Sequence, residues 1–317
     1  MFKCIGHLAS GSFNLKNFGA YPRRDFEKIA EIIRKEELDI VAFQEILSQG
    51  KGLENLLRYY VKHEFYNWDF CWASPRESSD ISKIGELIQN DSRGEGYAYI
   101  WNKRLFKLAE FSKLGERKSF APRIINSLSN DVYADCSFYA RTPYYIRLQP
   151  CYGGFFEFRL INLHIYYGSN ALSDVQKRQL EYETLVKDIY PSISKRRYGD
   201  FRPAYTIAMG DYNLNIFRPH IPAQSNAYLQ EVYNFKDFQV ITAQDQLTTL
   251  KTTQQSNESG NGYANNYDHF TYSPELTHSV PISCGVIDAV AKYCGGDFEY
   301  YRTNISDHLP IVMEIRI

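Results

Sequence analysis

Apolar and polar positions alternate with two different periods along this chain, and the changes of period mark its elements. In "DFEKIAEIIRKEELDIVAFQE", Phe26, Ile29, Ala30 and Ile33 recur at helical spacing, and "DIVAF" then forms a short apolar run. The pattern predicts an amphipathic helix feeding a buried strand, with Pro22 and Asp25 suited to the helix's first turn. Leu53, Leu56, Leu57 and Tyr60 predict a second helix, followed by the aromatic strand "WDFCWA". "YAYIWN" reads as a strand, and "PYYIRLQP" and "FFEFRLINLH" as two more joined around Gly153 and Gly154. A long helix is predicted over about 170 to 190, with Leu172, Val175, Tyr182, Leu185, Val186 and Ile189 mainly on one side. "YTIAMGD" is a strand ending in Gly-Asp, and the polar stretch from Lys251 to Asn266 is a loop. "YDHFTYS", "VIDAVA" and "PIVMEIRI" (Pro310 to Ile317) are the last strands expected.

Strands outnumber helices, and no Pro/Gly/Ser-rich linker or repeat divides the chain. The expected architecture is a single α/β domain over residues 1–317, with strands in layers and helices outside.

Composition adds limits. With 317 residues, 44% hydrophobic, the chain has material for a large core, and its 26 Tyr and 20 Phe suit sheets. Thirty-six Lys and Arg balance 37 Asp and Glu, so no bulk field drives the protein onto nucleic acid or membrane. Any phosphate-binding surface must be local. The cysteines at 4, 71, 136, 151, 284 and 294 form no CxxC pair, which argues against a zinc ribbon; Cys4 and Cys71 read as free core thiols. The Met1 start carries no apolar block of signal-peptide length, and no run suits a bilayer span. A soluble cytoplasmic location without a membrane partner or an obligate protein partner is expected.

The chemistry-bearing residues cluster at strand ends. "VAFQE" ends at Glu45, "LINLH" at His164 and "IAMGD" at Asp211, with Asn213 two residues on. Asn14 follows the first strand, Asp268 opens "YDHF", and Asp307 and His308 stand at the mouth of the final strand. Singly, each is as ordinary as a turn residue, a helix cap or a hydrogen-bonded structural histidine. Together they are the ligands and proton carriers expected for a hard divalent cation and a phosphate ester.

The ordered stretches "FNLKNFG", "FQE", "GEGYAYIW", "FYARTPY", "INLH", "MGDYN", "YDHF" and "SDHLP" resemble the endonuclease/exonuclease/phosphatase superfamily, and within it the deoxyribonuclease I group. The resemblance runs from about Asn14 to His308. It implies a four-layered α/β sandwich, two packed and mainly antiparallel sheets flanked by helices. It also implies metal-dependent hydrolysis of phosphodiesters, with Mg²⁺ as cofactor and Mn²⁺ or Ca²⁺ as substitute or second ion. Glu45 resembles the principal metal ligand, helped by Asn14 and Asp307. Asp211 and Asn213 resemble the pair at the scissile phosphate or a second metal. His308 resembles the base that Asp268 orients, and His164 the second catalytic imidazole, paired with Glu95. Arg141 resembles an arginine on the substrate's phosphate backbone.

The substrate this resemblance implies is DNA, cut internally. The alternatives are a phosphoesterase of the same fold acting on a lipid head group, inositol phosphate or nucleotide, and a catalytically inactive binding scaffold. After "FQE" the chain reads "ILSQGKG", without the group's groove-inserting arginine, and the group's aromatic groove contact is here Arg93. Minor-groove reading therefore does not transfer. "SKRRYGDFR" and "GERKSFAPR" interleave basic and aromatic residues as a nucleic-acid backbone contact or a solvated loop would.

Overall fold

The computed structural model of the protein describes residues 7–19, 24–47, 50–62, 67–73, 95–113, 116–125, 139–152, 155–198, 202–215, 241–243, 246–253 and 262–316. Arg93, Cys4, Cys136, His63 and His220 lie outside them, as do parts of the two basic stretches and of the polar loop.

Two sheets form the frame. The first has the order β14 (Ile282–Val286), β15 (Ile311–Ile315), β1 (Leu8–Phe18), β2 (Ile40–Ile46), β4 (Gly96–Asn102), β3 (Trp68–Ala73). The second runs β12 (Ile241–Ala243), β13 (Asp268–Tyr272), β11 (Ala204–Asp211), β10 (Glu157–His164), β9 (Tyr144–Pro150), β5 (Phe106–Leu108), with β8 (Arg123–Ile124) also on β9. A separate hairpin joins β6 (Glu110–Lys113) to β7 (Glu116–Ser119). The pairings are antiparallel except β1–β2 and β10–β11, which are parallel.

Strand alternation builds the layers. Ile40, Ala42, Tyr97 and Tyr99 of the first sheet pack against Ile146, Leu160, Ile207 and Met209 of the second, forming a core between the sheets. The intervening residues Val41, Phe43, Ala98 and Ile100 face outward onto α1 (Phe26–Lys35) and α2 (Lys51–Lys62). On the other side, Ile161, Leu163 and Ala208 meet a helical run made of α3 (Leu172–Thr184), a π turn (Leu185–Ile189) and α4 (Tyr190–Lys195). Helix, sheet, sheet and helix give the four layers that the resemblance implied.

Asp25 caps α1 by accepting from the Lys28 amide at 2.8 Å, as its placement in the sequence suggested. One expectation is corrected. "VIDAVA" is not a strand: β14 ends at Val286, and Asp288 caps the helix α6 (Ala289–Cys294) by accepting from the Ala291 amide. The apolar run hid a helix start whose signal was the aspartate, with Gly295 at φ 59° closing the other end. The short α5 (Pro274–Ser279) and α7 (Phe298–Asn304) also carried no long periodic pattern.

The two sheets are bolted together by polar groups beneath the strand ends. Asn162, fully buried on β10, donates to the carbonyls of Phe43 (2.9 Å) and Ala98 (3.1 Å) on the first sheet. It accepts from Gln44 Nε2 at 2.7 Å. The register of β2 against β4 shifts between Phe43 and Ile46, so Asn162 satisfies carbonyls beside a bulge. That bulge carries Glu45.

Candidate active site

Backbone irregularities place the first-sheet residues. Glu45 has φ 60°, and Lys16 and Asn17 have φ 43° and 54° where β1 slips against β2. A non-glycine residue in this region costs energy and persists only where its surroundings fix it. Here the fixing groups are Asn14 Nδ2, donating to Glu45 Oε1 at 3.0 Å, and the Asn17 amide, donating to Oε2 at 2.8 Å.

The second sheet supplies the centre. Gly210, at φ 150°, lies so close to β10 that a Cβ would sit 1.9 Å from the Leu163 carbonyl oxygen. Only glycine permits that approach, and it brings Asp211 level with His164 in the β10–β11 register. Asp211 is 1% exposed, and its Oδ2 lies 3.5 Å from His164 Nε2 and 3.6 Å from His308 Nε2. Asn14 Nδ2 also donates to this oxygen, at 3.0 Å. One buried carboxylate thus faces two imidazoles and the amide that holds Glu45.

Each imidazole has a different carboxylate behind it. His308 Nδ1 is 2.8 Å from Asp268 Oδ2, a hydrogen bond that fixes the ring. Burial opposes charge on His308, yet Asp268 and then Asp211 hold its pKa well above the usual histidine value. His164 Nδ1 stands 3.9 Å from Glu95 Oε2, and Arg141 Nη2 takes that same oxygen at 2.5 Å. Burial, with the charges of Arg141 and His308, pushes His164 well below the ordinary value, so it is the neutral imidazole of the two. The two rings that face the shared carboxylate are thus shifted in opposite directions.

All ten residues singled out in the sequence are among those described, and nine are linked by these contacts or the next ones. Asn213, at φ 50°, donates its amide to Asp211 Oδ1 at 2.9 Å and its Nδ2 to the Ile165 carbonyl at 2.8 Å. Burial opposes charge on Asp307, but His308 and then Lys16, whose Nζ lies 2.6 Å from its Oδ2, hold the carboxyl below the usual range. Arg141 pairs with Glu95 at 2.5 Å, and its side chain is 14% exposed. Asn14 turns its amide nitrogen to the carboxylates, while its Oδ1 accepts from the Lys16 amide at 2.9 Å.

Sequence reasoning missed several supports. Thr248 Oγ1 accepts from the Asp268 amide at 3.1 Å, and the Thr248 carbonyl from the Leu309 amide at 2.6 Å, tying together the two segments that carry Asp268 and His308. Ser306 donates to the Asn14 carbonyl at 2.6 Å and accepts from the His308 amide at 3.0 Å. Glu181, on α3, accepts from the amides of Ala140 and Tyr166, the segments beside Arg141 and His164. A serine before "DH" was readable as a turn former; Glu181 and Thr248 gave no local signal.

Among the described residues, two sets of ligand atoms lie within 4.8 Å of each other inside each set: Glu45, Glu95 and His164, and Asp211, Asp268 and His308. The second is already an acid–imidazole chain through the Asp268–His308 bond. The carboxylate oxygens of Glu45, Glu95 and Asp211 in these sets are hard donors of the kind a divalent cation takes. Burial, with the neighbouring Asp268, raises Asp211 to about 7 against the pull of His308. A bound dication would supply the missing positive charge.

Described parts of the two basic stretches take part in cation–ring contacts. Arg147 Cζ lies 3.6 Å from the Tyr198 ring centroid, with Arg159 and Arg196 also on that ring, and Arg123 lies over Phe120. Arg147 and Arg159 share the buried Glu157. Tyr198 and Phe120 thereby brace the outer face of β9 and β10. His269 turns away from the site to the carbonyls of Leu214 and Asn266, both at 3.0 Å.

No family model matches the sequence, and no curated protein matches it. Solved structures do match in fold. An endonuclease/exonuclease/phosphatase from Bacteroides vulgatus is 14% identical, covering 98% of this chain and 99% of its own, with a TM-score of 0.56. A family protein of the same description from Leptotrichia buccalis C-1013-b is 13% identical over 98% of this chain and 100% of its own, at 0.54. TDP2 from D. rerio, complexed with a single-strand DNA product, is 15% identical over 98% and 99%, at 0.53. The chain has the fold of the endonuclease/exonuclease/phosphatase superfamily. Among the described residues, no helix is long and apolar enough to cross a membrane.

Proposed function

We propose that the protein is a metal-dependent phosphodiesterase acting on DNA. The observation that carries this reading is Asp211, one buried carboxylate set 3.5 and 3.6 Å from two imidazoles, one hydrogen-bonded to Asp268 and the other 3.9 Å from Glu95. Phosphodiester hydrolysis needs a proton removed from water, a proton donor near the departing oxygen, and positive charge on the phosphoryl oxygens. Mg²⁺, held by Glu45 and Asp211 with Asp307 within reach once released from Lys16, would supply the Lewis acidity. Mn²⁺ or Ca²⁺ would suit the same oxygen donors.

His308, oriented by Asp268, handles the proton of the attacking water. Its charge in the absence of a cation comes from Asp268 and Asp211, so neutralising Asp211 returns it toward a base. His164 is neutral and buried, and donates a hydrogen bond to a phosphoryl oxygen or the leaving oxygen. Asn213, fixed to Asp211 and Ile165, positions the phosphate, and Asn14 links Glu45 to Asp211. Arg141 with Glu95 forms the wall behind His164. Domain assignment follows the same reading: the whole chain, residues 1–317, acts as one unit.

DNA is favoured as substrate because TDP2, a structural neighbour, was solved with a single-strand DNA product. The test is incubation of the purified protein with supercoiled plasmid and with a labelled single-stranded oligonucleotide, in Mg²⁺ and in EDTA. Cutting of either only with the metal is the expected result. A folded protein that cuts neither in Mg²⁺, Mn²⁺ or Ca²⁺ would contradict it.

A further inference from the structure

Three residues beyond His164 the chain offers solvent a large aromatic side chain. Tyr167 is 42% exposed, and its ring centroid lies 6.3 Å from that of Tyr267 at 54°. Tyr267 immediately precedes Asp268. Its carbonyl accepts from the Tyr212 amide at 2.7 Å and its own amide donates to Thr248 Oγ1 at 3.0 Å. The pair therefore stands between the segments that present His164, Asp211 and Asp268.

Arg178 lies behind Tyr167, its Cζ 5.2 Å from the ring centroid. It is 4% exposed, and Nη2 donates to the Ser169 carbonyl at 3.1 Å. Its Nε and Nη1 find no hydrogen-bond acceptor among the described residues. Burying a guanidinium with uncommitted N–H groups is costly, and the ring face recovers part of that cost. The guanidinium lies over one face of the ring, and the residue keeps 42% of its surface exposed. The loop itself is built to hold this geometry. Gly168, at φ 61°, occupies a place where a Cβ would meet the Tyr166 ring and Asp174 within 2.6 Å. Ser169 bridges Asp174 and the Ala171 amide.

We propose that Tyr167, backed by Arg178 and flanked by Tyr267, is a stacking subsite for a nucleobase of single-stranded DNA next to the scissile phosphate. The inference rests on the DNA phosphodiesterase reading and narrows its substrate. In a duplex each base has both faces covered by its neighbours, so a protruding ring finds a partner only where the strand is unstacked. Every base presents such a face, which makes the contact tolerant of sequence. The cation behind the ring also favours the phosphates on either side of the stacked base.

The test reads binding, so it does not depend on cleavage. Fluorescence anisotropy in EDTA compares a labelled single-stranded oligonucleotide with its fully abasic counterpart, for wild type, Tyr167→Ala and Tyr167→Phe. Stacking is lost on alanine substitution to the extent of about 5- to 150-fold in affinity. Wild type should favour the base-bearing strand by about that factor, Tyr167→Ala should lose the preference, and Tyr167→Phe should keep it. Equal affinity of wild type and Tyr167→Ala for the base-bearing strand would overturn the subsite. So would an equal loss on the abasic strand, which would make Tyr167 a packing residue. Metal-dependent cleavage by wild type, lost in His164→Ala, separately tests the underlying reading; a stacking preference without cleavage would leave the subsite standing and sink the phosphodiesterase.

Discussion

Asn14 on the first sheet donates to Asp211 at the end of the second, at 3.0 Å, and gives its other amide hydrogen to Glu45 at the same distance. This single side chain joins the carboxylate that faces both imidazoles to the carboxylate expected to hold the cation. The two sheets meet chemically at that point, and their relative position sets the geometry of the site.

That position depends on Asn162, which fills the carbonyls of Phe43 and Ala98 across the intersheet core. Asn162→Ala leaves these acceptors and Gln44 buried without it and should cost roughly 2–4 kcal/mol of stability. Urea denaturation measures this. A loss below about 1 kcal/mol would mean that the bolt contributes little.

Glu45 occupies a left-handed backbone position at φ 60°. Glu45→Gly and Glu45→Ala both remove the carboxylate and should both lose metal-dependent activity. Glycine also relieves the backbone, so Glu45→Gly should be more stable than Glu45→Ala by about 1 kcal/mol. Thermal unfolding of the two variants side by side gives the difference. Equal stability would show that the backbone there carries no strain.

Lys16 Nζ sits 2.6 Å from Asp307 Oδ2, an oxygen proposed above to reach the cation. A half-exposed ion pair of this kind is worth up to ~1 kcal/mol, so Lys16→Met should tighten Mg²⁺ binding by up to about fivefold. Calorimetric titration of the metal alone checks it. Weaker binding in the variant would show that Lys16 supports the site instead of competing for it.

Glu181 is raised from 4.5 to about 7 by burial, against hydrogen bonds from Ala140 and Tyr166 and the charge of Arg141. The folded state thus holds this proton more tightly than the unfolded chain does. The resulting stability is complete below about pH 4.5 and is lost as pH rises through about 7, a change on the order of 3 kcal/mol. Glu181→Gln should flatten that decline, seen by comparing denaturation at about pH 5 and about pH 8. An unchanged slope would place the titration elsewhere.

Much of this was legible in the chain. Alternation in "VAFQE", "INLH" and "IAMGD" marks strands, and the polar residue closing each marks an edge. The ordered stretches from "FNLKN" to "SDHLP" then gave the layers. What escaped depends on tertiary contact. Nothing near Lys16 in sequence says that Asp307 will lie against it, and Glu181 lies on a helix whose pattern reads only as amphipathic. Arg141 reads as a free cation until Glu95 is placed beside it. "VIDAVA" misled because an apolar run carries no period of its own, and Asp288 was the better guide.

The proposed chemistry turns on Asp211, so the most direct measurement is the single-turnover rate of hydrolysis of a labelled DNA oligonucleotide at saturating Mg²⁺, for wild type and Asp211→Asn. Asparagine keeps the shape but gives up the charge that both imidazoles face. A proton-transfer apparatus is worth about 10²–10⁴ in rate, and a loss of at least that size is expected, with thermal stability no lower than wild type's. A rate within about tenfold of wild type would contradict the account, because the reaction would then proceed without its central carboxylate.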